Sequence, residues 1–113
     1  MSNLHYWDYE FLTKLYMKNK KKKLKELNLE WFDGEIYDKG AVVTNPFSRE
    51  EYELNNVELS IYDFVTGANR TLEMLYDKGV EPSDKTRELL ENLYKGLDWF
   101  KENNAKAYMV LLD

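Results

Sequence analysis

The stretch Leu54-Asn55-Asn56-Val57-Glu58-Leu59 decides the fold, because it reads as the start of a long helix straight after an extended segment. Asn55 carries the short acceptor that bonds a first-turn N–H. Glu58, three residues on, can return a bond to the Asn55 backbone and close a capping box, while Leu54 and Leu59 stand at the two staple positions. Downstream, Val57, Ile61, Phe64, Ala68, Leu72 and Leu75 recur at spacings of three and four, widened by Val65 and Tyr76. This stripe predicts a helix from Asn56 to Lys78. Gly79 supplies the left-handed residue that ends it, and Val80 falls where a Schellman motif sets it against Leu75. Gly67 costs ~1 kcal/mol against Ala inside a helix, which predicts a second backbone close by.

Upstream of the cap the helical period disappears from Trp31 to Leu54, and Asp33-Gly34 and Lys39-Gly40 mark turns. Ala41-Val42-Val43-Thr44 reads as a strand, Asn45-Pro46-Phe47-Ser48-Arg49 as a turn, and Glu51-Tyr52-Glu53-Leu54 as the return strand, with Tyr52 and Leu54 on one face. Two strands alone are marginal in water, so this hairpin must lean on helices or on a partner's edge. Further upstream, Leu4, Trp7, Phe11 and Leu15 share a helical face, whereas Leu24 and Leu27 lie roughly opposite Leu15. A kink or a two-helix split is therefore expected near Asn19. Like charges at Lys18/Lys22 and Lys21/Lys25 weaken the helix there by a few tenths of a kcal/mol each.

Beyond Gly79, Glu81-Pro82-Ser83 forms a linker and Ser83 can cap a third helix, with Asp84 in its first turn. Thr86, Leu90, Leu93, Leu97 and Phe100 form its inward stripe, and it ends near Asn103-Asn104. Trp99 lies ~140° from that stripe, facing either the tail or solvent. Ala107-Tyr108-Met109-Val110-Leu111-Leu112 is an apolar run that periodicity leaves as strand or helix; good helix formers favour a helical turn or two. The expected fold is a mainly α single domain over residues 1–113. It comprises a kinked N-terminal helix, a small β-hairpin, two long antiparallel helices joined as a hairpin, and a short C-terminal apolar segment.

Composition limits the chemistry. A chain of 113 residues buries roughly 65% of its unfolded surface, enough for one core. Absence of cysteine excludes disulfides, thiolate metal sites and cysteine nucleophiles, and fits a reducing cytosol. No apolar run approaches the ~20 residues of a membrane span and no leader pattern is visible, so a soluble cytoplasmic protein is expected, with no membrane contact. His5 is the only histidine, and neither a G-x-S-x-G elbow nor a phosphate-binding glycine pattern occurs. Glu88 and Glu91, with Asp98 beyond, resemble the spaced acids of all-helical nucleotide pyrophosphatases. Glu73 and Asp77 are the only second pair on offer, at a spacing that suits a solvated helix surface better than magnesium. No catalytic residue, metal ligand or cofactor is assigned, and an enzyme is not expected; a magnesium-dependent nucleotide hydrolase is the remote alternative.

Two features point to partners instead. Nine Tyr, five Phe and three Trp exceed what a small core readily hides, and such rings favour interfaces. Phe47 at the hairpin tip, Tyr52 on the return strand and Trp99 are the candidate contacts, in a protein expected to bind another protein or itself as a homo-oligomer. The second feature is charge. The chain has a net charge of −5, yet residues 1–30 hold seven Lys against Asp8, Glu10, Glu26 and Glu30. Lys18, Lys20, Lys21, Lys22, Lys23 and Lys25 are thus candidate nucleic-acid contacts. Four successive lysines on a helix point in all directions, however, which makes a solvated face the plainer expectation.

One resemblance adds to this. Asn45-Pro46-Phe47-Ser48-Arg49-Glu50 into Glu53-Leu54-Asn55, then Glu58-Leu59-Ser60-Ile61-Tyr62-Asp63-Phe64 and Gly67-Ala68, resembles small uncharacterised proteins of marine bacteriophages. Lys95-Gly96-Leu97-Asp98-Trp99-Phe100 and Ala107-Tyr108-Met109-Val110-Leu111-Leu112-Asp113 are similar as well. The likeness covers most of residues 45–113 and little of the first helix. That group has Thr-Gly where this chain has Ser48-Arg49, which leaves the turn type open because Arg tolerates a positive φ poorly. The resemblance implies a phage accessory or assembly protein in the infected bacterial cytosol, and it carries no activity or site residue.

Overall fold

The computed structural model of the chain describes residues 9–113, which form α1 (Tyr9–Glu26), β1 (Ala41–Thr44), β2 (Glu51–Leu54), α2 (Asn56–Asp77), α3 (Asp84–Asn103) and α4 (Ala105–Leu111). The architecture is mainly α with one small antiparallel β-hairpin, as the periodicities predict. The chain divides into two compact units, Met1–Asp33 and Gly34–Asp113.

In the first unit, α1 runs as one helix through Asn19, so of the expected kink or two-helix split the split does not occur. Its end is set by local chemistry. Asn28 takes the left-handed conformation at φ 58°, its N–H donates to Lys25 O at 3.1 Å, and the Leu29 N–H donates to Leu24 O at 2.8 Å. This is a Schellman motif, and the two side chains it brings together, Leu24 and Leu29, are both buried. The inward side of α1 is therefore the Leu24 side. Phe11 and Leu15, which share the other apolar face, are exposed, Leu15 by 44%. Leu4, Trp7 and His5 lie outside the described residues.

In the second unit, β1 and β2 pair in the register Ala41↔Leu54, Val42↔Glu53, Val43↔Tyr52 and Thr44↔Glu51. Gly40 is required here: a Cβ at this position would collide with Leu54 O and the Asn55 backbone. The α2 capping box forms as expected, with Asn55 Oδ1 accepting from Glu58 N at 2.8 Å and Glu58 Oε1 accepting from Asn55 N at 2.9 Å. At the other end Gly79 sits at φ 69°, and the Gly79 and Val80 N–H groups donate to Tyr76 O and Leu75 O, both at 3.0 Å. The α3 cap is also a box, but Thr86 closes it: its Oγ1 accepts from Ser83 N at 2.7 Å. Thr86 accordingly works at the helix start rather than deep in the core.

The core is concentrated at one end of the α2–α3 hairpin. Ile61, Val65 and Ala68 from α2 meet the buried level of Leu93, Trp99 and Phe100 from α3, closed by Leu54, Ala107 and Leu111. Trp99, at 7% exposure, lies inside this core, edge-on to Phe100 at 5.9 Å between ring centroids. Towards the α2–α3 turn the same stripes dry out only partly, and Tyr76 is 85% exposed. Gly67 has nothing within 4 Å of the place its Cβ would occupy, so no backbone approaches it and the expected close contact is absent; nothing in the structure explains a glycine there.

The loop before β1 is fastened to α2 by a compact polar cluster. Tyr37 N donates to Ser60 Oγ at 2.8 Å, Ser60 Oγ donates to Asn56 O at 2.7 Å, and Asn56 Nδ2 donates to Tyr37 O at 3.0 Å. Ser60, the buried polar residue of the core, is thereby satisfied.

Candidate interaction surface

The hairpin turn is built around Asn45. Its N–H donates to Glu50 O at 2.8 Å, its carbonyl accepts from Arg49 N at 2.9 Å, and its Oδ1 accepts from Phe47 N at 2.8 Å and Ser48 N at 3.2 Å. The remaining group, Nδ2, donates to Val110 O of α4 at 2.8 Å. Asn45 therefore fixes the turn internally and moors it to the helical body. Ser48 Oγ adds a bond from Glu50 N at 3.2 Å. Arg49 takes φ 68°, the left-handed conformation that glycine would adopt freely. Proline before Phe47 restricts the chain further.

On this tethered turn Phe47 is 93% exposed. The ring lies outside the core, on a backbone whose turn hydrogen bonds are already made. Val42, on the outer face of β1, is exposed on the same hairpin. Tyr52 is oriented otherwise. It is half-buried on the inner face, and its hydroxyl approaches Asn104 Oδ1 at 3.4 Å, so it serves chiefly to seat the hairpin on α4. Trp99 is withdrawn into the core. Of the three aromatic candidates, only Phe47 stands at the surface.

Asn104 is a structural junction that sequence spacing does not single out. It ends α3 and caps α4, with Oδ1 accepting from Ala107 N at 3.1 Å, while its Nδ2 donates to Glu58 Oε2 at 2.8 Å. Glu58 thus closes its own capping box with one oxygen and holds the α3–α4 junction with the other. The only signal in the sequence was an Asn after a helix stripe and before an apolar run.

A second apolar feature lies at the far end of the α2–α3 hairpin, where Leu72, Leu75, Tyr76, Val80, Pro82 and Leu90 line an open cleft of about 370 Å³. Thr86 and Arg87 complete its lining. Glu73, Asp77, Glu88, Glu91 and Asp98 are exposed, and no group of three or more potential metal ligands occurs among the described residues. Two phenols are perturbed. The Tyr37 hydroxyl donates to Asp63 Oδ2 at 2.7 Å, and this bond, then the charge of Asp63, raises its pKa above the ordinary value. Tyr62 is raised first by burial and then by Asp63. Both effects keep the phenols neutral, which suits a structural role and not a nucleophilic one.

In the first unit, the lysines are better organised than their order in sequence suggests. Lys18, Lys21, Lys22 and Lys25 line one hollow together with Asn19, Leu24 and Glu30. Lys23 is exposed and Lys20 half-buried, both displaced from that face by the helical repeat. No helix among the described residues is long and apolar enough to cross a membrane. Comparison with known protein families, with curated proteins and with solved structures found no match.

Proposed function

We propose that this chain is a non-enzymatic assembly or accessory protein that associates with protein, first of all with a second copy of itself, through the β-hairpin turn. The observation that carries this is Phe47: 93% exposed, yet borne on a turn that Asn45 bonds to itself and to α4. Preorganisation lowers the entropic cost of association, and large aromatic side chains such as Trp and Tyr are enriched among energetic anchors. Val42, exposed on β1 of the same hairpin, is a second apolar side chain there. The resemblance of residues 45–113 to small phage proteins supports a role in the cytoplasm of an infected bacterium.

The test is sedimentation of the wild-type chain and Phe47→Ala over a wide concentration range, coupled to affinity capture from bacterial lysate. The wild type is expected to exceed its 13.6 kDa monomer mass as concentration rises. Removing the ring should weaken association at least ~30-fold, a loss of ~2 kcal/mol typical of an anchor residue, without lowering the melting temperature. A monomer at every concentration, together with no captured protein whose retention depends on Phe47, would overturn the proposal.

A further inference from the structure

Independently of the hairpin, we infer that one face of α1 is a docking stripe for the phosphodiester backbone of a nucleic acid. Lys18, Lys21, Lys22 and Lys25 follow the spacing i, i+3, i+4, i+7 and line a single hollow, and Lys14 extends the same row one turn towards the N-terminus. No acidic residue interrupts the helix between Lys14 and Lys25, and Glu30, beyond the helix end, is the one carboxylate that lines the hollow against four lysines. Lys14 is paired with Glu10 at 3.2 Å, both side chains being largely exposed; Lys18, Lys21, Lys22 and Lys25 make no ion pair among the described residues. Crowding four like charges on one face costs the helix stability. That cost is relieved when an anion neutralises them.

The dimensions favour a phosphate polymer over a single anion. From Lys14 to Lys25 the stripe spans about 16 Å at ~1.5 Å per residue. One strand of a duplex presents a phosphate every ~3.4 Å along its axis, so about five phosphates pass a stripe of that length. Four lysine ammonium groups, with Lys14 shared with Glu10 as a fifth, face them as compact point charges of the kind that meets phosphate. The acidic remainder of the chain lowers the affinity and restricts contact to this face. Sequence-independent, salt-sensitive binding follows.

The experiment titrates the full chain with fluorescent double- and single-stranded oligonucleotides across a salt series, with poly-glutamate as competitor. Four to five lysine–phosphate contacts predict a slope of log K against log salt of about −4 on duplex and about −3 on a single strand. Two charge-matched variants decide whether the stripe is responsible. Lys21→Gln with Lys25→Gln should reduce the duplex slope by about 2, whereas Lys20→Gln with Lys23→Gln, off the stripe, should leave it within about 0.5. Circular dichroism of both pairs checks that the helix persists. Equal loss in the two pairs, no salt-dependent binding of the wild type at low salt, or displacement by poly-glutamate at the same charge concentration as DNA would overturn the inference. The last of these outcomes would assign the stripe to an acidic protein.

Discussion

Gly67 and Gly79 answer oppositely to one added methyl group, and the backbone explains why. Gly67 is helical with open space around it, so Gly67→Ala should stabilise the protein by ~1 kcal/mol through helix propensity alone. Gly79 sits at φ 69°, where an L side chain costs ~1–2 kcal/mol, so Gly79→Ala should destabilise by about that amount. Arg49, at φ 68°, already bears such a cost, and Arg49→Gly should recover ~0.5–1 kcal/mol once the added freedom of the unfolded glycine is set against it. Chemical denaturation of the three variants checks these signs. Tyr37 gives a pH signature of its own. Its folded pKa lies above the unfolded value because the neutral phenol donates to Asp63, so its contribution is complete below about pH 10 and fades as pH rises through the folded value. The melting-temperature gap between wild type and Tyr37→Phe should therefore narrow from pH 8 to pH 11. A gap that stays constant would show that the bond carries no linkage.

At the scale of elements, the second unit is joined by side chains that serve two elements at once. Asn104 caps α4 and binds Glu58 at the start of α2, so Asn104→Ala removes a cap and an inter-element bond together. A loss of ~1–3 kcal/mol is expected, measurable by denaturation. Asn103, whose Nδ2 only returns to Trp99 O within α3, provides the contrast: Asn103→Ala should cost less than ~1 kcal/mol. Equal effects at the two positions would show that the Glu58 bond contributes nothing. Asn45 plays the corresponding part for the hairpin, and its replacement should loosen the turn before it unfolds the helices, raising amide exchange over residues 45–50 first.

Across the whole molecule, what could be read from the sequence was what local chemistry dictates. The limits of β1 and β2, the α2 capping box and the Gly79 stop each depend on residues within a few positions of one another, and each formed where expected. The helical tail was also legible, from its helix formers. Less accessible were features set by distant partners or by three-dimensional facing. Trp99 was displaced from its own helix's stripe yet entered the core because α4 and β2 fold over that end of the hairpin. Of the two apolar faces that the sequence offers on α1, the burial follows Leu24 and the Asn28 turn and not Phe11 and Leu15. The lysine run looked undirected as consecutive letters, but the helical repeat sorts it into a row and two outliers. Phe47 is placed at the hairpin tip by the turn residues around it, but its exposure depends on how the Asn45 bonds hold that turn.

The claim that this turn is a binding anchor is tested most directly by placing a photo-crosslinking phenylalanine analogue at position 47 and, as a control, at the exposed Tyr94. The proposed function requires that light yield a covalent adduct from position 47, either a dimer of the purified chain or a single defined protein in lysate, and that Tyr94 yield none. No adduct from position 47 above that of the control would contradict it.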